Sequence, residues 1–316
     1  MINYLNENKK IHRLNKFYIH SNQKKFYKHN LLFFFFYKLK YLIFGLVYYF
    51  WELCFNLGKI YSLLKLRGVY KNNTALVLGN GPSQELISTN ELQQFINNGG
   101  KLFVVNYWFL NKKIRNIIPN FLVLSDIRAV TRNNNKFFKK NNDQLKKYIR
   151  KYKDMKIICP IRMEKQIQKI IRPDRVICFC DSELNNFISN TKPIFPRGYL
   201  SMTVYKAIAM AVWFSFKKIF VLGVDNTYPK NIYVDIDNQL YNHEIHAGKT
   251  FKETSLVNIS DQYSSMSDFL YETSLLFRDA HKLNVNNNIM NLDEHSLTDA
   301  FPKIKYYKGM LKNIAN

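Results

Sequence analysis

The chain has 316 residues, 47% of them hydrophobic, which is enough to bury a core and excludes global disorder. Its 47 Lys and Arg against 23 Asp and Glu give a formal net charge of +24, a field that draws polyanions: nucleic acid, anionic lipid, or phosphorylated and acidic glycans. The four cysteines, Cys54, Cys159, Cys178 and Cys180, show neither a zinc spacing nor a disulfide framework, and read as reduced thiols of a cytosolic chain.

Residues 1–30 are polar, basic and Asn-rich, with no small-residue cleavage site after an apolar stretch, so they do not read as a signal peptide. An aromatic, apolar run comes next over 31–51, interrupted by Lys38 and Lys40. Its uninterrupted part, 41–51, is too short to span a bilayer, which needs about 20 apolar residues. Aromatics flanked by Lys24, Lys25, Lys28, Lys59, Lys65 and Arg67 suit a helix in the headgroup region of an anionic membrane. The expected location is peripheral, on the cytoplasmic face of a membrane. The alternative is a helical hairpin packed on the catalytic domain or on a second subunit of a homo-oligomer. The expected division is a basic N-terminal segment over 1–73 and a catalytic domain over 74–316.

From residue 74 the pattern becomes short, apolar, β-branched runs separated by amphipathic stretches. Strands are expected at 75–79, 102–106, 121–125, 156–159, 175–179 and 219–223, apolar on both faces as buried parallel strands are. Helices are expected at 83–97, 144–152, 162–171, 201–214 and 262–283. This alternation predicts an α/β fold, a doubly wound, mostly parallel Rossmann-like sheet with ligands at the carboxyl ends of its strands. Residues 131–142 read as a Lys- and Asn-rich loop. Residues 228–260, long, polar and without clear period, read as a lid.

The first strand ends in Gly79-Asn80-Gly81-Pro82-Ser83. Two glycines allow close approach of a ligand, and a helix N-terminus directly after them favours phosphate. The alternative is a tight turn that binds nothing. A P-loop would need a Lys-Ser/Thr pair and the dinucleotide fingerprint a third glycine, and neither is present. The second strand ends in Asn106-Tyr107-Trp108, where an amide can reach a ribose or base, and the third in Ser125-Asp126. Pro196-Arg197-Gly198 precedes the helix that opens at Ser201, and strand 219–223 delivers Asp225, Asn226 and Tyr228 to the same edge. An Asp there suits a general base, a metal ligand or a sugar-hydroxyl anchor. In the lid, His243 and His246 read as acid–base groups rather than metal ligands, and the Asp235-x-Asp237 triplet is of a kind that arises by chance.

Four features in this order, Gly79 to Ser83, Asn106, the helix before the strand that ends at Asp225, and residues 291–302, resemble the bacterial lipooligosaccharide sialyltransferases (glycosyltransferase family 42). They also resemble the related surface-polysaccharide and motility-associated-factor proteins. The resemblance covers roughly 74–302 and implies a Rossmann-like variant of the GT-A type. It implies transfer of a sialic-acid-like nonulosonic acid from a CMP-sugar to a glycolipid or oligosaccharide acceptor, with no required cofactor and no essential divalent metal. By the same resemblance Asn80, Gly81 and Ser83 hold phosphate or cytidine, Asn106 holds ribose or base, and Ser296 sits by the nucleotide. Tyr228 steadies the leaving phosphate, Arg197 matches an arginine before the central helix, and His243 or His246 is the base. The family's Thr-Ser-Gly entry to that helix becomes Ser201-Met202-Thr203 here. Two rivals remain: a pterin-diphosphokinase-like enzyme using ATP and magnesium with Asp126 and Asp225, and a non-catalytic membrane-bound scaffold. Nucleic acid is the weakest partner class, since no helix-turn-helix, zinc module or RNA-recognition signature occurs.

Overall fold

The computed structural model describes residues 31–130, 136–181, 191–195, 202–226, 232–234, 240–243, 256–258, 277–284 and 289–314. The main sheet is built from β1 (Thr74–Leu78), β2 (Lys101–Val105), β3 (Phe121–Val123), β4 (Lys156–Pro160), β5 (Val176–Phe179), β6 (Lys218–Leu222) and β10 (Ile289–Asn291). Its order is β10-β6-β1-β2-β3-β4-β5, with every neighbouring pair parallel. The chain winds outward from β1 to β5, then returns to place β6 on the other side of β1. The switch point of this doubly wound sheet therefore lies between β1 and β6, where such folds bind ligands.

Alternate strand residues serve opposite faces. Leu76, Leu78, Leu102 and Val104 face one core, with Leu92 and Phe95 of α3 (Thr89–Asn97) and Leu145 and Ile149 of α4 (Lys136–Lys151). Ala75, Val77, Phe103 and Val105 face the other, with α6 (Thr203–Trp213) and Ala280 and Leu283 of the helix 277–284, α7. Both faces being covered explains why the strands read as continuous apolar runs. The remaining helices are α5 (Glu164–Gln168) and α8 (Met310–Ile314).

The expected helix 83–97 is instead a 3-10 turn, Pro82–Leu86, and then α3. The break comes from Ser88, whose hydroxyl accepts the Glu91 N–H while the Glu91 carboxylate accepts the Ser88 N–H, a capping box that starts a new helix. Expected helix 162–171 likewise resolves into a 3-10 turn, Ile161–Met163, and the short α5. The expected loop 131–142 is wrong over its second half: α4 begins at Lys136. Arg175, buried beside the end of α4, donates to the carbonyls of Ile149, Tyr152 and Met155 and closes that helix.

Residues 31–65 form two helices broken at Asn56, α1 (Leu31–Phe55) and α2 (Leu57–Lys65). No helix among the described residues is long and apolar enough to cross a membrane. Helix α2 packs on β5, giving Ile60 to one core and Leu63 to the other. Trp213 Nε1 donates to the Leu63 carbonyl at 2.9 Å, and Lys59 forms an ion pair with Glu164. Within the segment expected to be an aperiodic lid, β7 (Ile232–Val234), β8 (Leu240–His243) and β9 (Leu256–Asn258) form an antiparallel sheet in the order β7-β8-β9.

Candidate functional site at the sheet switch point

The exits of β1 and β6 touch. Gly79 N–H donates to the Leu222 carbonyl and Gly81 N–H to the Gly223 carbonyl, at 2.8 and 2.9 Å. A Cβ on Gly79 would lie 2.2 Å from the Gly223 oxygen, and one on Gly81 would lie 1.9 Å from Asp225 Oδ2. Both glycines thus have a reason internal to the fold, namely the close passage of two backbones. Gly223 answers from the other side, with a φ of +73° and its own face against the Gly79 carbonyl.

Ser83 is held by the same contact. Its N–H donates to Asp225 Oδ1 at 3.0 Å, its hydroxyl to Asp225 Oδ2 at 3.1 Å, and its Oγ accepts the Gly223 N–H at 2.9 Å. The sequence suggested that Ser83 and a helix N-terminus greet a phosphate. Here Ser83 is buried and committed to Asp225, and it sits in a single 3-10 turn rather than at the start of a helix. Asn80 and Pro82 are half-buried. Among the described residues, the Asn80 N–H and side-chain amide make no hydrogen bond, so Asn80 is the turn's remaining donor.

Asp225 is buried beside Asp293, which lies just past β10. Burial pushes its carboxyl up to about 6, the Asp293 carboxylate adds to the rise, and the Ser83 N–H opposes it. For an acid raised in the folded state, stability is fully present below the unfolded value near 3.8 and is lost as pH rises through 6. The change amounts to at most about 3 kcal/mol. Asp225→Asn removes the ionisation and keeps an acceptor for Ser83. Its stability relative to the parent chain should therefore improve by roughly 2–3 kcal/mol between pH 4 and 6.5, then level off. Urea melts across that window test this; a constant difference would show that Asp225 is not the group titrating.

A second cluster lies at the ends of β2 and β3. Asn106, with φ +46°, donates from Nδ2 to Thr203 Oγ1 at 3.2 Å, and Thr203 Oγ1 lies 2.6 Å from Ser125 Oγ. Among the described residues, Asn106 Oδ1 is buried without a partner. A third cluster joins β6 and β10. Asn226, with φ +50°, donates from Nδ2 to Tyr205 Oη and Thr298 Oγ1 at 2.8 and 2.7 Å. Ser296, expected beside a nucleotide, is fully buried; its hydroxyl donates to the Val224 carbonyl at 2.7 Å and its Oγ accepts the Thr298 N–H. It pins the β10 exit to the β6 exit. Among the described residues, Asn226 Oδ1 and Asn291 Nδ2 are also buried without partners. These three amide atoms lie near the carboxyl edge of the sheet with no hydrogen-bond partner among the described residues, and buried polar atoms of this kind call for a partner such as ordered water or a ligand.

Of the other expected site residues, Arg197, Ser201, Tyr228 and His246 lie outside the described residues, as do Asp235 and Asp237 of the discounted triplet. His243 is the last residue of β8, paired in register with Leu256 of β9. Asp126 is half-buried after β3. Sequence reasoning placed Asn226 at the ligand edge but assigned no individual role to it or to Thr203, Asn291, Asp293 and Thr298. Asn226 carried the available signal, an Asn directly after an Asp that leaves a strand, where a positive φ is tolerated.

Neither a protein-family model nor a curated protein sequence matches the chain. Among solved structures, a MAf glycosyltransferase from Magnetospirillum magneticum AMB-1 is similar at 11% identity and a TM-score of 0.47, over 75% of this chain and 34% of that one. The chain thus spans about a third of the length of that structure.

Proposed function

We propose that the chain is a glycosyltransferase that takes a CMP-activated, sialic-acid-like sugar at the β1–β6 switch point and passes it to a glycolipid or oligosaccharide acceptor. One observation carries the reading. The separate sequence features that resemble sialyltransferases, the Gly79 turn, Asn106, the Asp225 exit and the segment after Asn291, all come to one edge of the sheet. Among the described residues, three buried amide atoms without a hydrogen-bond partner lie there with them. In this reading Asn80 meets the phosphate, Asn106 Oδ1 accepts from the ribose or base, and Asp225 holds the turn in shape rather than touching substrate. A lid histidine, His243 or His246, takes the acceptor proton and Tyr228 steadies the departing phosphate. No required metal enters the scheme.

Thermal unfolding with CMP, UDP, GDP and ATP, each with magnesium and with chelator, tests the donor. CMP at ~100 times its dissociation constant should add about 2.7 kcal/mol in chelator, more than the other nucleotides add. Asn80→Ala should weaken CMP roughly tenfold, the loss of one charge-assisted hydrogen bond, without lowering the melting point of the free protein. Stabilisation by ATP–magnesium alone would favour the diphosphokinase-like rival, and no response to any nucleotide would remove both.

A further inference from the structure

Helix α1 has two sharply different sides. Tyr49 and Glu52 are buried, Leu53 packs on the core, and the line continues into Ile60 and Leu63 of α2. The Tyr49 hydroxyl donates to the Ile194 carbonyl at 3.1 Å, fastening this side to the segment that runs on toward α6 and Thr203 of the site. The opposite side recurs at helical spacing as Phe36, Ile43, Phe44, Val47, Phe50 and Trp51. Phe44 is 63% exposed and Val47 61%. A helix already anchored by one face has no packing reason to keep large aromatics on the other, and exposed patches of this size mark contact surfaces.

We infer that the outward face of α1 lies in the headgroup layer of an anionic bilayer. The occupant is set by charge and residue type. Lys40 is exposed on the same side, its ammonium 5.9 Å from the centre of the Phe44 ring, so a cation stands beside the aromatic surface. Lys65 stands over Tyr61 at 4.5 Å in the same way. Between residues 31 and 73 the basic residues are Lys38, Lys40, Lys59, Lys65, Arg67 and Lys71, and the one acidic residue, Glu52, is buried on the inner side. The outward side is therefore apolar and aromatic with a cationic fringe. A second copy of this chain would bring two such fringes and two +24 fields together, whereas an anionic lipid surface complements both. Trp and Tyr are the residues that settle at headgroup depth. The helix lies on the surface, since it is not apolar enough to cross. The inference stands apart from the donor assignment and survives if the enzyme uses another sugar.

The test uses the full chain and a built-in reporter. Of the three tryptophans, Trp108 and Trp213 are buried and Trp51 is 42% exposed. With vesicles of phosphatidylcholine and phosphatidylglycerol, the protein should co-sediment, its Trp emission should shift to the blue, and brominated lipid should quench it. Trp51→Phe should abolish the quenching while sedimentation persists. High salt should release only part of the protein, because aromatic burial is not screened. The double variant Phe44→Glu/Val47→Glu changes side chains of the outward face alone, so its melting curve and nucleotide response should stay unchanged while vesicle binding falls at least tenfold. Two results would overturn the inference. One is full-strength binding by the double variant. The other is a parent chain that ignores anionic vesicles and sediments as a dimer which the double variant dissociates, assigning the face to a second copy.

Discussion

Replacing Asp181 with Ala should cost about 3–5 kcal/mol, the effect of stranding a buried charge. Asp181 lies just past β5 at the sheet's carboxyl edge, and its side chain is 2% exposed. It receives Lys206 at 2.7 Å and Arg162 at 3.0 Å. Arg162, a third exposed, can turn to water when the carboxylate is gone. Lys206 cannot: it sits in α6 among Tyr205, Ala207 and Ala209, its side chain 5% exposed. Denaturant melts should show the loss as a lower midpoint, with a fall of roughly 10 °C in the thermal transition. Lys206→Met placed in the same chain should recover much of it, because an apolar side chain of similar length needs no partner. Failure of that second change to help would mean that Asp181 acts through its backbone surroundings rather than through Lys206.

Gly81→Ala should be nearly as damaging, about 3 kcal/mol or more, and under the proposed function it should also abolish nucleotide binding. The added methyl would meet Asp225 Oδ2 at 1.9 Å and the Gly223 carbonyl at 2.8 Å. Asp225 cannot step aside without releasing both Ser83 hydrogen bonds, so overpacking adds to the loss of contacts to a charged group. Gly58→Ala is the matched control. Nothing lies within 4 Å of its new methyl, and the residue is inside α2, so there the same change should stabilise by about 0.5–1 kcal/mol. Equal behaviour of the two variants in chemical denaturation would rule out the close-passage account of the β1–β6 contact.

The strands were legible because burial on both faces writes itself into the chain: Ala75 to Leu78 and Ile219 to Leu222 hold nothing that seeks water, and such runs have few other homes. Other elements left fainter marks. The first turn of α4 is Lys136-Phe137-Phe138-Lys139, and Lys140-Asn141-Asn142 come next, a composition shared with loops. What commits it to a helix is the packing of Leu145 and Ile149 further on. The strands β7, β8 and β9 are three or four residues each, below the length at which alternation can be told from chance. The switch-point site was legible as a location and less so as a set of roles. Gly79, Gly81 and Ser83 carry a pattern that ligand binding and close backbone passage produce alike, and only the partner strand decides between them. Asp225 could be seen leaving its strand, but Asp293 comes from the far end of the chain, and spacing in sequence gives no hint that the two carboxyl groups meet.

Helix α2 has a consequence for how the chain can be divided. It lies along β5, the last strand of the main sheet on that side, and a final strand without a cover presents a free row of amides and carbonyls. The stretch that carries the aromatic surface helix therefore also closes the sheet. A protease that cut between α2 and β1 would not simply release an intact α/β domain. It would leave a molecule with an open ladder, ready to recruit the same strand of its neighbour and grow by sheet extension. The exposed aromatic face of α1 and the cover of β5 belong to one continuous piece of chain, so whatever the aromatic face contacts is tied to the integrity of the sheet.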